Sequence, residues 1–156
     1  GIIIISVSLF TENKESLERR VLDRVNSCEE DKCFLSIKDL TEFDWDSLYI
    51  FDYYTSEDEI EEIIGCKLKD YNEKYSSSQG YIKLVIFKFE NKIIYLEEWR
   101  THISNIPENE IIFASTGNSY FKSYSIDSSV FIVEKIKLKE NKYYYRLSPI
   151  DGIGTR

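Results

Sequence analysis

His102 is the only histidine in the chain, and Glu97, Glu98 and Arg100 stand close before it. These residue types suit a general base held by a carboxylate. Along a strand, however, alternate residues face opposite ways, so the three cannot all converge on the imidazole. The simpler expectation is a surface histidine at a strand end. Asp44 and Asp46 flank Trp45 and project to one side of an extended segment. Such a pair could bind calcium or act as acid and base, yet the spacing of an EF-hand loop is absent. Cys28, Cys33 and Cys66 lack paired CxxC or HxxxH spacing, so neither a metal site nor a cofactor is expected. There is also no glycine-rich phosphate loop, no G-x-S-x-G elbow and no H-E-x-x-H helix. The expectation is therefore no catalytic residue, with a small hydrolase or ligand-binding enzyme built on Asp44, Asp46 and His102 as the alternative.

The elements that must carry these residues follow from periodicity. Leu17, Val21, Leu22 and Val25 recur at helical spacing and predict an amphipathic helix over 12–27. The run 33–40, CFLSIKDL, and the run 47–51, SLYIF, have strand composition. Ser56 and Glu59 form an S-x-x-E capping box, Glu57, Asp58 and Glu59 favour the positive end of a helix dipole, and Gly65 supplies a left-handed stop. A short helix is expected between Ser56 and Gly65. Strands at 81–89 and 93–99 should pair across a turn at Glu90, Asn91 and Lys92, with Lys83 and Lys88 marking a partly solvated face. IIFAST, from Ile111, reads as a further strand. Strands at 130–138 and 143–147 repeat the hairpin theme across Glu140, Asn141 and Lys142. The fold class expected is α+β, a largely antiparallel β-sheet with two α-helices packed on one face.

At 156 residues with 42% hydrophobic and 15% aromatic content, the chain suits one domain over 11–150. The loop 70–80 and the tail 151–156 look mobile. The apolar run 2–10, IIIISVSLF, is too short to cross a bilayer and reads either as a strand or as the remnant of an anchor. A cell-envelope or extracytoplasmic location follows from the anchor reading, and a cytoplasmic one is the alternative. Cys28 and Cys33 flank EEDK closely enough for a small disulfide loop in an oxidising compartment, although free thiols are the commoner fate.

The formal charge of −8, from 28 acidic and 20 basic side chains, repels nucleic acid and attracts a basic protein. The aromatic residues sharpen that reading, because Tyr, Trp and Arg dominate the energetics of protein interfaces. Trp45, Tyr49, Tyr53, Tyr54, Trp99, Tyr120, Tyr124 and Tyr144 are the expected contact residues. In the triplet 143–145 the middle tyrosine faces away from its neighbours, so Tyr144 is exposed if they are buried.

The stretch FDWDSLYIFDYYTSEDEIEEIIG, 43–65, resembles a pattern in small, little-characterised proteins of low-GC bacteria. There a W-D-x-[LVM]-Y-[IVF]-F strand precedes a Y-T-S turn and a helix ending in glycine; Tyr53 stands where proline is frequent. The resemblance implies a membrane or lipoprotein anchor upstream and brings no catalytic residues. In charge and fold class the chain is also similar to immunity proteins that neutralise antibacterial toxins. The expected function is thus a non-enzymatic protein-binding domain, an immunity protein that occludes a basic toxin or another cell-envelope partner.

Overall fold

The computed structural model describes residues 15–29, 32–52, 54–68, 82–102, 105–114 and 121–150. The elements in chain order are α1 (Leu17–Asn26), β1 (Lys32–Ser36), a single turn α2 (Ile37–Leu40), β2 (Ser47–Phe51), α3 (Glu57–Ile64), β3 (Ile82–Phe89), β4 (Lys92–Arg100), β5 (Ile111–Phe113), β6 (Phe121–Ser125), a 3-10 turn (Ile126–Ser128), β7 (Val130–Lys139) and β8 (Lys142–Pro149). They build an α+β fold of two four-stranded sheets, ordered β1-β7-β8-β5 and β4-β3-β2-β6. Every pairing is antiparallel except β5 with β8. The expectations for 2–10, 70–80 and 151–156 lie outside the described residues. No described helix is long and apolar enough to cross a membrane.

The sequence of β3, IKLVIFKF, shows why two layers form on this sheet. Val85 and Phe87 turn one way and Leu84 and Ile86 the other, all buried, so both faces of the sheet need cover. Val85 and Phe87 meet the first sheet through Leu35, Phe131, Val133, Tyr145 and Leu147, and the Leu17, Val21, Leu22 and Val25 stripe of α1 belongs to that same core. Leu84 and Ile86 form a second core with Phe51 and with Ile60 and Ile64 of α3. The expectation of two helices on one face of one sheet is corrected accordingly: each helix serves its own core.

Local signals set the element ends. Glu90 and Asn91 at the β3–β4 turn have φ of 48° and 66°, the left-handed pair that matches the twist of a tight hairpin. The Ser56 hydroxyl accepts the Glu59 amide at 3.2 Å, and Gly65 ends α3 at φ 74°. For α1, Ser16 accepts the Arg19 amide at 3.1 Å. A carboxylate from the sheet completes that cap: Glu97 accepts the amides of Leu17 and Glu18 at 2.9 and 2.8 Å. Glu97 therefore docks a helix N-terminus rather than supporting His102.

Two strand expectations change. β1 stops at Ser36 instead of running to residue 40, because the buried Ile37 and partly buried Leu40 lie three apart and pack together from one helical turn. β6, FKSYS in sequence, was not expected as a strand; polar side chains take alternate positions and hide its apolar face. Cys28 and Cys33 form a disulfide joining the end of α1 to the start of β1. Cys66 remains a thiol, hydrogen-bonded to the Asn91 carbonyl at 3.0 Å.

Candidate functional site

The expected contact aromatics divide sharply. Trp45 and Trp99 are 2% and 1% exposed and belong to the core between the sheets, so they offer no surface to a partner. Trp45 donates its indole N–H to the Thr41 hydroxyl at 2.9 Å and meets Phe87 edge-on at 4.9 Å; the turn α2 carries Thr41 to it. Tyr124 packs partly buried against the same core, and Tyr49 against the core beneath α3. Tyr54 is exposed and donates to Asp52 at 3.2 Å. Tyr53 and Tyr120 lie outside the described residues. Of the tyrosine triplet, Tyr145 is buried while Tyr143 and Tyr144 are half-buried; alternation sets Tyr144 opposite to Tyr145, on the outward side of β8 beside Ile136, but not fully exposed.

Tyr144 belongs to the one large sheet face that no described element covers. Register places it beside Ile136 of β7, and on the same face Ile132 pairs with Phe34 of β1. Phe34 is 62% exposed, and Leu138, at an irregularity in β7, is 39% exposed. Around this apolar strip the register sets Lys32, Lys142 and Arg146, with Glu134 among them. The rim is thus positive although the chain is acidic overall, because five acidic residues sit on α3 across the molecule.

The alternative site fails on geometry. Asp46 closes the β3–β4 turn, where its carboxylate accepts the Glu90 amide at 3.0 Å and the Ser47 hydroxyl at 2.9 Å. The Glu90 amide, with Ser47 second, holds the Asp46 carboxyl below the usual carboxylate range. Asp44 is exposed nearby. His102 follows the other end of β4, beyond the pairing of Ile82 with Arg100; the strand from Ile82 to Lys88 alone spans about 20 Å. No single cleft joins the three residues.

His102 instead lines a cleft of about 330 Å³ at the open end of the sandwich, with Asp52, Lys83, Glu110 and Lys122. Its Nδ1 lies 2.7 Å from both oxygens of Glu110. An ionised carboxylate only accepts, so Nδ1 carries the proton and donates it, which leaves Nε2 as the imidazole's second polar atom. Glu110 is 1% exposed and is positioned by backbone: its amide donates to Pro107 and its carbonyl accepts from Tyr145. Lys83, 6% exposed, donates to the Ile111 carbonyl.

Lys83 was expected to mark a solvated face together with Lys88. The two differ by an odd number of residues, so they point to opposite sides of β3, and Lys83 shares the inward parity of Val85 and Phe87. Parity was the available signal for this residue; Glu110 and Lys122 had none of comparable strength. Burial, the largest effect, lowers the Lys83 ammonium pKa to about 8; Glu110, Glu18 and Asp52 favour its charge, and Lys122 opposes it.

This shift makes stability depend on pH in a definite direction. Unfolded lysine keeps its proton to about 10.5, so between pH 8 and 10 the unfolded chain binds more protons and raising the pH stabilises the fold. The penalty of burying the charge is fully present below pH 8. Above about pH 10 the tyrosines act the other way, because burial raises the Tyr124 phenol to about 12 and also raises Tyr95 and Tyr145. Urea unfolding at pH 8, 9 and 10 should show a gain of about 2 kcal/mol in the wild type, and none in Lys83→Met. An equal gain in the variant would exclude Lys83 as its source.

Comparison with protein-family models, curated proteins and solved structures found no match to the chain.

Proposed function

We propose that the chain is a non-enzymatic protein-binding domain that occludes its partner with the bare face of the sheet β1-β7-β8-β5. The observation that carries this reading is the contrast between the two outer faces of the sandwich. α3 covers one, whereas the other presents Phe34, Ile132, Ile136 and Tyr144 with no described element over them. Contiguous apolar surface with a polar rim is characteristic of a protein contact.

Within this reading, an immunity protein that blocks a toxin is the role we favour, since occlusion requires a surface and no chemistry. The charge pattern specifies the partner further. The overall −8 steers a basic protein toward the chain, while Lys32, Lys142 and Arg146 require acidic groups on the partner where it docks. A basic toxin whose contact patch is apolar with an acidic rim meets both requirements.

Phe34→Asp should lower affinity at least thirtyfold, the effect of losing a hot spot worth about 2 kcal/mol, and leave thermal stability nearly unchanged because the ring is already in solvent. The measurement is co-purification from the source cells with wild type and Phe34→Asp in parallel, followed by titration of the captured protein against both. A partner that binds both forms equally would remove this face from the interaction.

A further inference from the structure

We propose that the cleft between the sheet ends is a binding site for a small organic anion, whose carboxylate or phosphate group is held by Lys122 and Lys83 beside His102. The site is separate from the bare sheet face. Its lining comes from both sheets: Ile50 and Asp52 at the end of β2, Lys83 of β3, Thr101 and His102 after β4, Glu110 and Phe113 at β5, and Lys122 of β6. At about 330 Å³ it has the size of a small-ligand pocket.

The balance of donors and acceptors selects the ligand's sign. Both oxygens of Glu110 face Nδ1 of His102, and Asp52 accepts the Tyr54 hydroxyl. The two carboxylates are therefore engaged. The Lys122 ammonium has no ion-pair or hydrogen-bond partner among the described residues, and register places the residue beside Ile50 on the inward side of β6. Lys83 spends one of its three donors on the Ile111 carbonyl, and Nε2 of His102 is not used by Glu110. The two ammonium groups answer an oxyanion, whose several lone pairs accept from both, and Nε2 of His102 adds a third donor only when the ring carries a proton on each nitrogen. Ile50 and Phe113 provide an apolar floor for the carbon part of an organic anion.

An anion in this cleft also restores to Lys83 the charge that burial disfavours, so binding near pH 8 takes up a proton. A bland packing of the same side chains has no such linkage.

The test uses the full chain labelled with ¹⁵N, titrated with inorganic phosphate and separately with acetate, against sodium chloride at matched ionic strength. Amide shifts that saturate at residues 50–52, 82–84, 101–102, 110–113 and 121–123 are expected with at least one probe, and which probe saturates distinguishes a phosphate site from a carboxylate site. Lys122→Gln should weaken that binding about tenfold or more, the worth of one charge-assisted hydrogen bond, while Lys122→Arg retains most of it. Calorimetry of the same titration at pH 8 in two buffers of different ionisation enthalpy should show net proton uptake. Shifts no larger than those with chloride, or shifts unaltered by Lys122→Gln, would overturn the proposal.

Discussion

Glu110→Ala destabilises the fold by about 3–5 kcal/mol, the usual cost of removing one partner from a buried ionic cluster. The carboxylate is 1% exposed, its two oxygens face Nδ1 of His102 at 2.7 Å, and its charge is the strongest support for the Lys83 ammonium. Without it, Lys83 retains the penalty of burial and loses most of the compensation; the ammonium can escape only by giving up its proton. Denaturant unfolding at pH 7 should show a lower midpoint at unchanged slope. Glu110→Gln keeps an acceptor for His102 but not the charge, and should fall between Ala and wild type. The decisive comparison is the double variant Glu110→Gln with Lys83→Met, which should recover part of the Gln loss, because removing both members of a buried pair costs less than removing one. A loss under about 1 kcal/mol in Glu110→Ala would mean that water reaches the cluster and replaces the carboxylate.

That cluster shows where a sequence stops being informative. Helix α3 was legible because each of its signals is local: Ser56 and Glu59 at one end, Gly65 at the other, and isoleucines between. The β3–β4 and β7–β8 hairpins were legible for the same reason, with Asn91 and Asn141 supplying the positive φ that their turns need. Glu110 and His102 are also near in sequence, but their approach depends on a turn around Pro107 that periodicity does not reveal. Lys83 and Lys122 meet the pair only because β3 and β6 both flank β2, an arrangement set by long-range pairing. The division into two sheets has the same origin, since sheet membership is decided by partners far along the chain.

Aromatic content misled for a related reason. A tryptophan between two aspartates reads as exposed when only its neighbours are known. Here Asp46 is drawn outward by the Glu90 amide, and Trp45 between them turns inward onto Phe87. Alternation along an extended segment puts Asp44 and Asp46 on one side and Trp45 on the other, and here the aspartates are on the wet side. For Tyr144 the same alternation gives the outward side, opposite the buried Tyr145, although the residue is half-buried rather than exposed.

Trp45→Ala accordingly reports on stability rather than on recognition, with an expected loss of about 3–5 kcal/mol for a large aromatic side chain removed from a packed core. Three contributions add. The ring fills space between Phe87 and the turn α2, its edge-on contact with Phe87 at 4.9 Å is lost, and the Thr41 hydroxyl loses the indole donor held at 2.9 Å. Trp45→Phe keeps the aromatic contact and should cost about half as much, because the remaining cavity is smaller. Phe43, which stacks on Tyr95 at 4.9 Å and meets Phe87 at 5.2 Å, lies in the same aromatic group, so Trp45→Ala and Phe43→Ala together should depart from additivity. The two roles separate in one experiment: Trp45→Phe should show a lowered unfolding midpoint and unchanged affinity for a captured partner, whereas an interface anchor would lose affinity at unchanged stability. Wild-type stability in Trp45→Ala would contradict the core placement and return Trp45 to the binding surface.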